Sequence, residues 1–350
     1  MADRILIGTY TAGTGSEGVY AARWDAAGRL AIEGPAARHP HAPTVNPSFL
    51  LAARRSAIIY AVSEVNDFEG TGEGGLVALR WNGRALDVLD RRASGGELPC
   101  DLALDAAETL LAVANYGGSV AVCVLAADGT FHGASQVIRH TRGSVDARRQ
   151  TSGHPHGVCV LERDGAPVLL VPDLGADAVV RYELADGALG AARRYAVAPG
   201  SGPRLLVPHP SGRWTYLVNE LSNTVIVHDA SFTVVQEVST LPADFSGRSA
   251  AAGVRVSCDG CTLYASNRGH DSIVWFRIGA DGRLSAPGWI PSGGGHPRAF
   301  ALDADERFVL VANRDSDNVS VFMRMDTGAL EGPVDVAAVP APSCVTFLPD

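Results

Sequence analysis

The sequence predicts an all-β fold, a seven-bladed β-propeller closed through its two termini, and three observations predict it. A unit recurs along the chain, opening at Pro47, Pro99, Pro155, Pro203, Ala251, Pro297 and Pro342. The steps of 45 to 56 residues between these openers match propeller blades rather than helical solenoids. Each unit holds short β-branched and aromatic runs separated by turns such as "SG", "DG" and "DERF". No window longer than about ten residues keeps a 3.6-residue apolar period with helix caps, so little helix is expected. Finally, the last unit stops after one strand, "PSCVTFLPD", while the N-terminus offers three unclaimed ones.

Those N-terminal runs are "RILIGTYT", "GVYAARWD" and "LAIEG", which fit strands B, C and D of a blade whose strand A is the C-terminal run. Pairing the two ends in one blade removes the open edge an unclosed array would expose. The six complete units read "PSFLLAARRSAIIYAVSE", "PCDLALDAAETLLAVANY", "PHGVCVLERDGAPVLLVPDL", "PRLLVPHPSGRWTYLVNE", "AAGVRVSCDGCTLYASNR" and "PRAFALDADERFVLVANR". In the last of these, strand A is expected at Ala299–Leu302, B at Phe308–Ala312, C at Val319–Phe322 and D around Val334–Ala338. Strand B is apolar on both faces ("FVLVA", "TYLV"), as a sheet stacked between two others requires. Residues 1–350 are expected to form one propeller domain.

Whole-chain properties remove several function classes. A formal net charge of −9 argues against nucleic-acid or anionic-membrane binding. The start "MADRILIGTY" lacks an apolar signal region, and no run approaches the ~20 apolar residues of a membrane span. Six cysteines in 350 residues do not make a disulfide scaffold. A soluble cytoplasmic protein, monomeric or weakly homo-oligomeric, is expected.

The repeat also locates a site. Opener and asparagine-type position stand 16 apart in five of the six complete units, 47 to 63 and 99 to 115 for example. Strands A and B are antiparallel, so the start of A and the end of B share one end of the blade. With strand A lining the central channel, the residues after those two marks form two rings around one mouth. The ring at the start of A reads Ser48, Cys100, His156, Arg204, Ala252, Arg298, Ser343. The ring at the end of B reads Tyr10, Glu64, Tyr116, Leu174, Glu220, Arg268, Arg314. Four arginines, a histidine and two glutamates thus converge in an otherwise acidic protein. Guanidinium forks suit a planar carboxylate or a phosphate, because each donates two hydrogen bonds. Arg–Glu pairing between blades is the architectural alternative.

Other chemistries lack their signatures. There is no G-x-S-x-G elbow, no H-E-x-x-H and no Walker loop; "GTYTAGTGSEG" is glycine-rich but has no lysine. "CDGC" at Cys258–Cys261 has no second pair and is read as a turn between strands A and B with reduced thiols. His154 and His270 are read as loop hydrogen-bonders. The long segment "RHTRGSVDARRQTSGHPH" brings Arg149 and Gln150 to the same mouth, as a lip over the site or as a solvated loop.

"SGHPHGV", "GPRLLVPHPSGRWTYLVNELSNTV", "LYASNRGHDSI" and "HPRAFALDADERFVLVANRDSDNVSVF" resemble the seven-bladed lactonase family across nearly the whole chain. That family includes propeller-type 6-phosphogluconolactonases and the fungal carboxymuconate-lactonising enzyme. The resemblance implies lactone ring chemistry with no metal or organic cofactor. It puts the family's active-site histidine on His156, its arginines on Arg204 and Arg268, and its glutamate on Glu220. Two positions depart from the family: Gly253 stands where an acid is often found, and Arg314 where a glutamine is usual. Divalent ions of other lactonase propellers would fall on Asn115, Asp173 and Asn219, but the nearby arginines disfavour a cation.

Hydrolysis needs a base to activate water and donors to hold the oxyanion. His156, Glu220 and Arg268 are the expected catalytic residues, with Glu220 or His156 as the base and Arg268 with Arg204 clamping the anion. Arg204, Arg298, Arg314, Glu64 and Tyr116 are expected to bind a small anionic or sugar-lactone substrate. A muconate lactonising cycloisomerase, and a propeller that only binds a ligand or partner, stay open as alternatives.

Overall fold

Phe308–Asn313 is six buried residues in a row, and Ile58–Ser63 is another such run. A strand buried on both faces must lie inside a stack of sheets. A computed structural model describes residues 3–38, 45–163, 165–185 and 187–349. It arranges them as seven four-stranded antiparallel sheets, with one three-residue 3-10 turn, Arg314–Ser316, among the described residues.

The closing blade pairs Pro342–Phe347 as strand A with Asp3–Thr9 as B, followed by Gly18–Trp24 and Leu30–Arg38. Its register sets Ile7 against Val345 and Gly8 against Cys344. Blades 1 to 6 follow in chain order. In blade 6 the strands are Pro297–Leu302, Phe308–Asn313, Asn318–Arg324 and Leu330–Ala338. Strand D therefore begins four residues before the expected start, because a register shift between Val321 and Met323 lets Glu331 and Leu330 continue the ladder.

Neighbouring sheets interlock through apolar clusters that each span two blades. One joins Tyr216, Val218 and Val227 of blade 4 to Val254, Leu263 and Phe276 of blade 5. A polar lock recurs beside them: Tyr60, Tyr216 and Tyr264 donate their hydroxyls to the carbonyls of Gly129, Gly282 and Gly328 in the next blade. Those glycines have φ of 84°, 78° and 83°, and a Cβ on any of them would strike the neighbouring blade. The asparagine at the end of strand B is a second clamp. Asn115, Asn267 and Asn313 donate Nδ2 to the carbonyls of Ser94, Thr240 and Ser292, just past the preceding blade's strand D.

Strand A carries the feature that builds the site. Pro99 pairs with Asn115 and Asp101 with Ala114, which leaves Cys100 as an extra residue. The same bulge isolates Arg204 between Pro203 and Leu205, Arg298 between Pro297 and Ala299, and Ser343 between Pro342 and Cys344. A bulge re-aims the side chain it releases, and the proline beside it has no N–H to leave unpaired.

Candidate active site

His156, Arg204, Glu220 and Arg268 form one continuous polar chain at the channel mouth. Arg204 Nη1 donates to His156 Nε2 at 2.6 Å and also to Glu220 Oε2. Arg268 Nη2 reaches the same Oε2 at 2.9 Å, while Arg149 Nη2 reaches Oε1 at 2.5 Å. Glu220 is 2% exposed and Arg204 3%. One buried carboxylate thus holds three guanidiniums, and the surplus positive charge is left for an incoming anion.

The electrostatics follow from that packing. Burial alone would raise the Glu220 pKa, but Arg204, Arg268, His156 and Arg149 together hold it well below the usual carboxylate value. Burial and then the Arg204 charge push His156 well below 6.5. Burial and Arg204 also lower Arg268 to about 10, against the pull of Glu220. Because an arginine only donates, the neutral His156 ring accepts at Nε2 and carries its proton on Nδ1, which faces Cys100 Sγ at 3.8 Å. Burial raises the Cys100 thiol well above its ordinary pKa, so it stays protonated.

Arg268 lies against its own blade, donating Nε to the Ala250 carbonyl and Nη2 to the Ala251 carbonyl. Among the described residues, Arg204 Nη2 and Arg268 Nη1 have no hydrogen-bond partner, and neither does the buried Nε of Arg204. These are the donors available to a substrate oxygen.

A second group stands across the mouth. Glu64 Oε2 accepts from Arg298 Nη2 at 3.0 Å, from Tyr10 Oη at 2.9 Å and from Ser48 Oγ. Arg298 Nε donates to Tyr10 Oη at 2.8 Å, so blade 6, the closing blade and blade 1 meet there. Tyr116 stacks on His154 at 4.7 Å and meets His156 edge-on at 5.4 Å, forming an aromatic wall beside the histidine. The arginines and glutamates do pair between blades, and the pairing itself draws the expected residues into two clusters.

Arg314 is placed differently. It opens the 3-10 turn, donates Nε to Asp315 at 2.7 Å and lies 3.3 Å from His296 Nδ1, with its side chain 36% exposed. Its partners hold it at the rim, outside the Glu220 cluster. Gly253 has a steric reason: a Cβ there would sit 3.0 Å from the Phe300 ring. Arg149, from the long loop, is the lip residue that touches the cluster. Gln150 is buried and spends its amide on Leu174 O and Asp146 N.

At the alternative ion site the Oδ1 atoms of Asn115 and Asn219 are buried without a hydrogen-bond partner, while the Nδ2 atoms and Asp173 are engaged. Asn115 and Asn219 bond within or beside their own blades, and Asp173 accepts from His154 N, Ala176 N and the His140 ring. Among the described residues, no three His, Cys, Asp or Glu side chains gather as metal ligands would. His154 and His270 bond the Tyr116 carbonyl and the Ser272 hydroxyl, and Cys258 and Cys261 are exposed in their turn.

The family model for the seven-bladed β-propeller lactonases matches residues 4–347. The chain is 32% identical to a 6-phosphogluconolactonase of Bacillus subtilis (strain 168), over 98% of this chain and 97% of that one. It is 31% identical to a 6-phosphogluconolactonase of Formosa agariphila, over 82% of this chain and 84% of that one. The solved periplasmic gluconolactonase of Pseudomonas aeruginosa, PpgL, superposes with a TM-score of 0.91 at 34% identity, covering 99% of both chains. With the seven sheets, the terminal closure and the motif match all in place, this chain belongs to the lactonase family of seven-bladed β-propellers.

Proposed function

We propose that this chain hydrolyses the ring ester of a sugar lactone of the 6-phosphogluconolactone type, at the mouth formed by His156, Arg204, Glu220 and Arg268. The observation that carries the reading is the single carboxylate of Glu220 gathering three guanidiniums beside a neutral histidine. A lactone brings a carbonyl whose oxygen becomes anionic during attack, and preorganised cationic donors are what that oxygen needs. The names of the similar enzymes support the substrate class.

The protonation pattern favours His156 over Glu220 as the base. Glu220 is held as a carboxylate by three cations, which makes it a weak proton acceptor and a strong positioning group for Arg204 and Arg268. His156 keeps an unprotonated Nε2, and substrate draws Arg204 Nη1 away from it toward the developing oxyanion. Water then attacks the carbonyl carbon and its proton passes to Nε2. The ring C–O bond breaks, its electron pair goes to the ring oxygen, and His156 returns the proton there. The product is an open hydroxy acid, which ionises at neutral pH.

Arg298 and Glu64 bound the far side of the mouth, with Tyr116 as the wall and Arg314 at the rim for an anionic substituent. Residues 1–350 act as one catalytic domain in this reading. Exposed thiols at Cys258 and Cys261 support a reducing, cytoplasmic setting. Charged outer strands such as Leu86–Ala93, with Asp87, Asp90, Arg91 and Arg92, support a monomer or weak homo-oligomer, and the net charge of −9 supports the absence of a nucleic-acid partner.

The test is pH-stat titration with 6-phosphogluconolactone, gluconolactone and muconolactone. Proton release above the uncatalysed rate on a sugar lactone supports the proposal. Release on muconolactone alone moves the chain to the muconate branch, and none on any of the three leaves a binding propeller.

A further inference from the structure

Beneath the His156 and Arg204 layer, the central channel widens into a chamber of about 570 Å³. Its roof is Cys100, His156, Arg204 and Arg298, and Glu220, Glu64 and Arg268 are not part of its wall. Most of that wall is apolar, including Phe49, Leu51, Leu102, Val160, Val207 and Phe300. The other end lies at the turns between strands A and B, where exposed Arg54 and Arg55 flank it. Such a volume is ordinary for a small-molecule site.

The far end also carries Asp105 and Glu108 beside Arg54 and Arg55, and between that end and the roof two charged groups enter the wall. Arg255 comes from strand A of blade 5, Ala250–Val256, and Asp101 from strand A of blade 2, Pro99–Leu104. The Arg255 guanidinium has five N–H donors. Among the described residues it makes one hydrogen bond, from Nη1 to the Val254 carbonyl at 2.8 Å, and no ion pair with a carboxylate. Asp101 accepts from Val158 N at 2.9 Å and acts on Arg255 only through space. Arg255 is half-buried, so its unspent donors face the chamber, where an anion can meet them. The roof adds the unpartnered Nε of Arg204.

We infer that the chamber, which meets the mouth at the shared His156 and Arg204 layer, holds a second binding site at the level of Arg255, for a small organic carboxylate with an apolar body gripped through Arg255. The fork of a guanidinium matches a carboxylate in two parallel bonds, and low-dielectric walls strengthen them. The apolar lining takes the body of the acid. Asp101 faces the same space, so the site suits a monoanion over a phosphate dianion.

Binding of 4-fluorobenzoate, followed by its fluorine NMR signal, tests this without reference to lactone hydrolysis. Wild type should bind it saturably in the millimolar range, and Arg268→Ala, which alters only the mouth, should bind it as well. Arg255→Met should weaken binding tenfold or more, and inorganic phosphate should not compete. Measured at about pH 8, where Asp101 is ionised, Asp101→Asn removes the opposing charge and should tighten binding several-fold; this variant carries the test if Arg255→Met does not fold. No saturable binding by wild type, wild-type affinity in Arg255→Met, or unchanged affinity in Asp101→Asn would overturn the assignment.

Discussion

Arg204 Nη1 lies 2.6 Å from His156 Nε2, and the same nitrogen donates to Glu220. One guanidinium nitrogen therefore fixes the tautomer of the histidine and anchors itself to the carboxylate. The contact also keeps His156 unprotonated, since a second cation at that position would meet Arg204 directly.

The pH profile follows. A general base must be unprotonated, and burial with Arg204 sets the His156 pKa well below 6.5. Activity should persist as pH falls through 6.5, and kcat/KM should drop only at lower pH. An acid limb centred at or above 6.5 would mean that burial and Arg204 do not depress the titration of the base.

Arg268→Ala should lower kcat/KM by a factor on the order of 10² or more, the usual effect of losing one oxyanion donor. Arg268→Lys should recover part of it, keeping the charge without the planar fork. The Arg268 side chain is 13% exposed and paired with Glu220, so some stability is lost as well. Arg204 and Arg149 still hold the carboxylate, so the variant should fold with a Tm a few degrees lower. A folded Arg268→Ala enzyme with full activity would make this arginine architectural.

Arg314→Gln should be mild, less than about tenfold on a neutral lactone, because Arg314 is tied to Asp315 and His296 and not to Glu220. Its effect should concentrate on lactones with an anionic substituent. Steady-state kinetics on a phosphorylated and an unphosphorylated lactone check this, and equal losses on both would place Arg314 in the catalytic cluster.

The blades were legible because strand period, turn chemistry and the 16-residue spacing repeat, and repetition averages out local ambiguity. The two rings were legible for the same reason. The bulge at Cys100, Arg204, Arg298 and Ser343 was not: register shifts arise from pairing between strands, and a single run such as "PRLLVP" does not show them. Arg314 follows the end of strand B as expected, but its ties to Asp315 and His296 were not legible, because they depend on how the side chains meet at the rim. Asp101 and Arg255 had a visible signal that went unused. Each is a charge inside a strand A, and strand A lines the channel.

Deleting Pro342–Asp350 should unfold or aggregate the protein. The deletion removes strand A of the closing blade and leaves the Ile5, Leu6 and Ile7 backbone unpaired along a channel-facing edge. Val345 also leaves an apolar cluster with Leu310, Val319 and Trp24. Circular dichroism melting is the measurement, and a truncated chain with an unchanged Tm would contradict the closure.

Asp101 sets a pH dependence of stability that can be read by difference. Burial raises its pKa from 3.8 to about 7, only partly offset by the Val158 N–H, Arg255, the Leu102 N–H and Arg204. Between those pH values the folded state holds a proton that the unfolded chain has lost. Stability from this group is thus greatest at low pH and declines as pH rises toward about 7, beyond which both states are ionised. The gap corresponds to about 4 kcal/mol at most. Asp101→Asn keeps an oxygen for the Val158 N–H and cannot ionise, so it should match wild type near pH 4 and exceed it above pH 7. Urea denaturation of both proteins across that range measures the difference. A constant offset between the two curves would mean that Asp101 is ionised throughout, with Arg255 and Arg204 supplying its compensation.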